Sequence, residues 1–283
     1  MAEHAGDSHE AVAQLYDSIA ASEADRLRLH PMERELTLDA IATHIDLTRR
    51  NDRLKVADIG GATGVYAFKL ADAGAEVHLR DLSSRLVWLA NVEQERRAND
   101  GKPTLASAAV GSALDTELLP TKAFDVVLLL GPGYHLVSEG ERILAVQNAL
   151  SFLRDDTGRV FAAFIPRQAH MRDIAKRDPS RLVREREFYE TYLRTGQYVK
   201  PGRSSYHVGS LDEVRQLVAA AGGKLVELLG VESILGGGND AGLVEANEDV
   251  LSAWVHVLKP YARREENLGA ADHWLAVIAK GQA

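Results

Sequence analysis

The 283-residue chain contains no cysteine, which excludes disulfide frameworks, thiolate metal sites and cysteine nucleophiles together. Nor has it an apolar run approaching the ~20 residues of a membrane helix. The longest, such as Val126 to Leu130, are strand-sized. Basic charge is not in excess: 33 Lys and Arg stand against 41 Asp and Glu, a formal net charge of -8. That balance argues against a nucleic-acid binder relying on phosphate neutralisation, and no basic or aromatic RNA-binding module is appended. The N-terminus lacks a basic region followed by an apolar one, so a soluble cytoplasmic protein with no membrane partner is the expectation. Of the ten histidines none forms a His-x-His or His-x-x-x-His pair, and no metal site is expected.

What the chain does have is globular: 46% hydrophobic and 26% charged residues, enough for one large domain with an elaboration. Its rhythm is a short apolar run, a Gly-containing turn, then an amphipathic helix. Strands are predicted at Leu54 to Ile59, Glu76 to Asp81, Leu105 to Val110, Phe124 to Leu130, Val160 to Ile165, Leu225 to Val231 and His273 to Ile278. Helices are predicted over Val65 to Ala73, after a Ser83 or Ser84 cap, over Glu139 to Leu153, from a Ser210 cap to Ala221, and near Leu243 to Leu258. Alternation of this kind argues for a doubly wound, mostly parallel α/β sheet with an antiparallel last strand. Residues 1–50 are expected to form a helical N-terminal lid and 51–283 the α/β domain, with a helical insertion at 167–205. In that insertion Phe188, Tyr189 and Tyr192 share one helical face. The Gly236 to Gly238 stretch is expected to be a flexible loop.

The most informative stretch is Val56-Ala57-Asp58-Ile59-Gly60-Gly61-Ala62-Thr63-Gly64. A strand enters a tight turn of small residues and then a helix, the place where open α/β sheets bind ligands, and missing side chains let a ligand approach the main chain. The dinucleotide fingerprint G-x-G-x-x-G fails from either Gly60 or Gly61. Instead an acid two residues earlier precedes glycines at 60 and 64, and a second acid, Asp81, ends the next strand, where it can accept ribose hydroxyls.

These residues resemble the first motifs of the class I S-adenosylmethionine-dependent methyltransferases, with Ala62 in place of the middle glycine. Further resemblance to a bacterial small-molecule branch runs through Asp25 to Pro31, Gly131-Pro132-Gly133-Tyr134-His135-Leu136, Ile165-Pro166-Arg167, Tyr206-His207 and Leu268-Gly269. It implies a Rossmann-like methyltransferase fold with a seven-stranded sheet. It implies S-adenosylmethionine as cofactor, held by Asp58, Gly60, Gly61, Ala62, Gly64, Asp81, Leu82, Ser112, Ala113 and Gly131, with Tyr16 and Arg26 contributed by the lid. Ser112 stands where many relatives carry an adenine-binding acid, and Asp115 is the alternative. The implied reaction is methyl transfer to an oxygen, nitrogen or sulfur nucleophile of a small-molecule acceptor.

His135 is the candidate general base, since it follows the central strand at its carboxyl end, and Tyr134, His135, Arg167, Tyr206 and His207 are candidate acceptor-binding residues. A nicotinamide-dependent oxidoreductase and a non-catalytic nucleotide-binding member of the same fold are the alternatives, and a homodimer is left open.

Overall fold

The structure is a computed structural model, and it describes residues 12–14, 16–18, 29–47, 53–200 and 203–281. Seven strands form one sheet in the order β3-β2-β1-β4-β5-β9-β8: β1 (Lys55–Ile59), β2 (Glu76–Asp81), β3 (Ser107–Val110), β4 (Val126–Leu129), β5 (Arg159–Phe164), β8 (Gly223–Gly230) and β9 (Trp274–Lys280). β9 pairs antiparallel with both β5 and β8, and the other pairs are parallel. The expected α/β sheet with its reversed last strand is present, each strand within two residues of its predicted ends.

Helices cover both faces. One core packs α1 (Pro31–His44), α2 (Val65–Asp72), α3 (Ser84–Asn99) and α9 (Glu248–Ala262) against Val56, Val77, Leu79 and Leu128. The opposite core packs α4 (Glu139–Phe152) and α8 (Leu211–Ala220) against Ala57, Val127, Val160 and Ile278. β4 is buried at all four positions, as its uninterrupted apolar sequence requires of a central strand covered twice. Ser83 caps α3 by accepting from the Leu86 N–H, and Ser210 caps α8 by accepting from that of Glu213.

The insertion differs from its expectation. It holds α5 (Arg167–Arg177), α6 (Arg181–Arg184) and α7 (Arg186–Thr195), but ends in a hairpin, β6 (Gln197–Lys200) with β7 (Arg203–Tyr206). Tyr189, Tyr192 and Tyr198 pack with Ile174, Met171 and Phe188 into a separate small core. The aromatic stripe is thus packing internal to the insertion. No helix among the described residues is long and apolar enough to cross a membrane.

Candidate functional site

The β1–α2 turn is built from alternating left-handed residues: Gly60 at φ +74°, Ala62 at +49° and Gly64 at +88°. Gly60 and Gly61 donate their N–H groups to the Arg80 carbonyl, 2.7 and 3.2 Å away, which folds the turn over the end of β2. A Cβ on Gly60 would stand 2.4 Å from Pro132 Cδ, and one on Gly61 would stand 2.7 Å from the Asp58 carboxyl. Close packing therefore requires glycine at both positions. Asp81, nearly buried, accepts from the Ala62 N–H through Oδ2 and from the Ser83 N–H through Oδ1, both at 2.8 Å. The two bonds fix the carboxylate plane at the cleft wall.

This turn floors a cleft that also takes in Leu82, Ser112, Ala113, Gly131, Tyr134 and His135. Of the cofactor residues expected from the sequence, Asp58, Gly60, Gly61, Ala62, Asp81, Leu82, Ser112, Ala113, Gly131 and Tyr16 all line it. Gly64 does not line it; it shapes the turn as the left-handed cap of α2. Asp115 lies off the cleft and accepts from the Glu117 N–H instead. Arg26 falls outside the described residues.

Described residues of the N-terminal segment reach this cleft, Val12 and Tyr16 among its lining. Tyr16 Oη and His135 Nε2 share a hydrogen bond of 2.6 Å, and Asp17 accepts from the Ser83 hydroxyl and the Arg85 N–H. Beyond Tyr134 and His135 opens a second chamber, lined also by Glu33, Arg203, His207, Glu232 and His273. Tyr16, Tyr134 and His135 belong to both spaces. Arg142, almost fully buried, holds the dividing turn: its guanidinium donates to the Leu136 and Val137 carbonyls at 2.8 Å and lies 3.4 Å over the Tyr206 ring.

Three of the expected acceptor residues are placed differently from the others. Arg167 lines neither space; its guanidinium pairs with Glu213 at 2.9 Å and donates to the His207 carbonyl. Tyr206 donates to Glu213 and packs beneath Arg142, because β7 turns its ring toward α8. His207 does line the second chamber, but Tyr192 Oη engages its Nδ1 at 2.7 Å and Ser205 Oγ its Nε2 at 3.2 Å. Burial pushes the His207 ring down to about 3, so it stays neutral near pH 7.

No family model matches the chain, and no curated protein matches it. Solved structures do. It is similar to 1,6-didemethyltoxoflavin-N1-methyltransferase from Burkholderia thailandensis, crystallised with 1,6-didemethyltoxoflavin and S-adenosylhomocysteine: TM-score 0.59, 14% identity, covering 98% of this chain and 91% of that one. It is similar to magnesium protoporphyrin IX methyltransferase from Synechocystis PCC 6803 with bound S-adenosylhomocysteine: TM-score 0.58, 15% identity, covering 97% and 100%. The [4+2]-cyclase SpnF also matches, at TM-score 0.54 and 13% identity, covering 96% of each chain. The chain has the Rossmann-like methyltransferase fold.

Within that methyltransferase fold the cleft can be tested against a cofactor bearing a ribose and a cationic amino-acid tail. Asp58, 1% exposed, has a buried Oδ2 with no hydrogen-bond partner, and it lines the cleft. Burial first, and the neighbouring Asp81 charge second, push the Asp58 carboxyl up to about 7. An orphaned buried carboxyl oxygen is costly unless a ligand satisfies it, and a cation is the ligand that would. Asp81 supplies the second, fixed acceptor, since a carboxylate can take about four hydrogen bonds. The residues present fit S-adenosylmethionine.

Sequence reasoning missed Arg142, Glu33 and Glu232. The turn after β4 gave the signal for Arg142, because a polar side chain one turn into the next helix can reach back to its carbonyls. Glu33 follows the Asp25 to Pro31 stretch by two residues and Glu232 follows the predicted Leu225 to Val231 strand, but neither carried a signal of its own.

Proposed function

We propose that the protein is an S-adenosylmethionine-dependent methyltransferase acting on a small-molecule acceptor. The observation that carries this reading is the pairing, in one cleft, of the buried Asp58 Oδ2, which has no hydrogen-bond partner among the described residues, with the main-chain-fixed Asp81 carboxylate. The alternating left-handed turn between them lets main chain, with no side chain in the way, face the ligand.

When bound, S-adenosylmethionine supplies a methyl group on a sulfonium, already electrophilic. Asp81 receives the ribose hydroxyls. Asp58 and the Gly60–Ala62 main chain receive the amino-acid tail, and Ser112 with Ala113 borders the adenine. The residues before β1 act as a lid: Tyr16, tied to His135, closes the cleft and excludes water. Tyr134 and His135 stand at the boundary between cleft and chamber, where they would align the acceptor with the methyl group. Since His135 Nε2 is already engaged by Tyr16, we assign His135 to positioning. The chamber beyond is the acceptor space, walled by the lid, the insertion hairpin and the last two strands.

The failed G-x-G-x-x-G pattern speaks against a nicotinamide cofactor. The match to a structure named as a cyclase shows that the fold alone does not decide the reaction. Isothermal titration of the purified protein with S-adenosylmethionine, and in parallel with NAD, tests the reading. One-to-one binding of S-adenosylmethionine without NAD binding is expected. The reverse selectivity, or binding of neither, would overturn it.

A further inference from the structure

Helix α9 carries more apolar surface than its own fold uses. A helix lying on one core needs one apolar stripe. Leu251, Leu258 and Ala262 supply it, buried in the core that also takes in α1 and the sheet. One residue out of phase runs a second row: Val250, Trp254, Val257 and Tyr261, at spacings of four, three and four. That spacing sets all four on one face of the helix, the seam by which two helices pack. Each of them is between 39% and 53% exposed. Scattered surface hydrophobics need no explanation, but an aligned row holding a tryptophan and a tyrosine has the composition of an interface centre. None of the four lines the cofactor cleft or the chamber beyond it.

The charges at the two ends of the row indicate what covers it. Glu248 and Asp249, both exposed, stand at its start. At its other end the exposed Arg264 lies 5.2 Å over the Tyr261 ring. Lys259 and Arg263 are held by Asp39, at 2.8 and 3.0 Å, and Glu265 lines a groove over β8. Arg264 is therefore the cation that the row presents. A row that is acidic at one end and basic at the other complements a reversed copy of itself. Run antiparallel, Val250 faces Tyr261, Trp254 faces Val257, and the two acids meet Arg264. The opposed helix dipoles favour the same arrangement. A parallel pair would set acid against acid and base against base, which is costly. One two-fold axis satisfies both ends at once, because each contact is repeated by its mate.

We propose that this face of α9 is a homodimer interface, with two copies of the chain packing their α9 helices antiparallel. The proposal is independent of the methyl-transfer reading, and it leaves the cleft and chamber of each copy uncovered. α9 has 15 residues and is about 22 Å long, so the helix pair alone buries less than the ~800 Å² per partner of a standard interface. Dimerisation with a dissociation constant of about 5–50 μM is the expectation.

Analytical ultracentrifugation of the full chain, over about 1–200 μM, tests this directly. The mass should rise from one chain to two across that range. Trp254→Glu should weaken the dimer about thirtyfold or more, since a central tryptophan of an interface carries much of its energy. Its melting temperature, taken in dilute solution where both proteins are monomeric, should stay within about 2 °C of wild type, because the side chain replaced is on the surface. A chain that stays monomeric throughout, as it would if a different protein covered the row, overturns the proposal. So does a dimer unmoved by Trp254→Glu.

Orientation is read separately, and the absence of native cysteine makes the readout clean. Under mild oxidation above the dimer midpoint, the double variant Val250→Cys with Tyr261→Cys should form a disulfide between chains. Val250→Cys alone should not, because in the antiparallel pair the two copies of position 250 stand about 16 Å apart, too far to bridge. Cross-linking of the single variant, or none in the double variant, would overturn the antiparallel arrangement.

Discussion

The two spaces that meet at Tyr134 and His135 are built in opposite ways. The cofactor cleft is made by the backbone: one turn in which residues 60, 62 and 64 are left-handed, held by main-chain bonds to Arg80 and by Asp81. Its key residues lie within about one βαβ unit. The chamber proposed for the acceptor is lined by residues from the N-terminal segment, the β4 turn, the hairpin and the ends of β8 and β9. The first kind of site tolerates few substitutions and leaves a local sequence signature. The second can be rebuilt one side chain at a time, which is how one fold serves many acceptors.

The largest expected effect comes from breaking the backbone-built side. Gly60→Val places a branched side chain at φ +74°, where a Cβ already meets Pro132 Cδ at 2.4 Å. Destabilisation of about 2–4 kcal/mol is expected from strain and overpacking, with loss of cofactor binding, read by thermal unfolding and calorimetry. Glu33→Gln, on the other side of the divide, should leave cofactor affinity within about twofold. If the two variants behaved alike, the division between the spaces would be false.

Next in size is Asp81→Ala. Removing the ribose acceptor should weaken S-adenosylmethionine binding about ten- to hundredfold, because a buried hydrogen-bonding edge left unpaired costs ~1–3 kcal/mol. Unchanged affinity in calorimetry would show that this carboxylate does not hold the sugar.

A pH experiment sharpens the role of Asp58. Its carboxyl sits at about 7 in the folded chain against an ordinary 3.8, so the folded state keeps a proton that the unfolded chain releases. The stability this contributes is present below about pH 4 and is lost as pH rises toward 7. Asp58→Asn should flatten the stability profile of the ligand-free protein in that window, measured by urea denaturation. A cationic ligand beside Asp58 favours its ionised form. Binding below pH 7 should therefore release protons, seen as a buffer-dependent heat, and should tighten as pH rises. No buffer dependence would place the cation elsewhere.

The smallest effect is expected at Ala62, the non-glycine member of the alternating turn. The left-handed conformation at φ +49° costs an L-residue ~1–2 kcal/mol, partly offset by the ~0.5–1 kcal/mol of unfolded-state entropy that glycine adds. Ala62→Gly should raise stability by about 0.5–1 kcal/mol, measurable as a small rise in Tm.

How much was legible follows the same division. Apolar runs, helix caps and glycine turns are local signals, and they placed the sheet, the Ser83 and Ser210 caps and the cleft turn. The β6–β7 hairpin was missed because its few apolar residues, such as Tyr198 and Val199, sit within a charged stretch that reads as helical. The Gly236–Gly238 segment looked flexible, yet a Cβ on Gly236 would meet the Ala270 carbonyl at 2.0 Å, and nearby Asp240 accepts the Met32 N–H to hold the start of α1. Glycine there serves close packing. Arg167 was read from its place after a strand and Tyr206 from the resemblance, but the sequence could not show that Glu213 draws both away from the chamber. Glu232 and His273 meet only through the reversal of β9, a tertiary fact no local pattern encodes.

The most direct test of the account is a crystal structure of the protein with S-adenosylhomocysteine. The ribose is expected on Asp81, the amino group beside Asp58, and the sulfur facing the chamber past Tyr134 and His135. A ligand held away from these two carboxylates, or a sulfur turned from the chamber that contains His273, would contradict it.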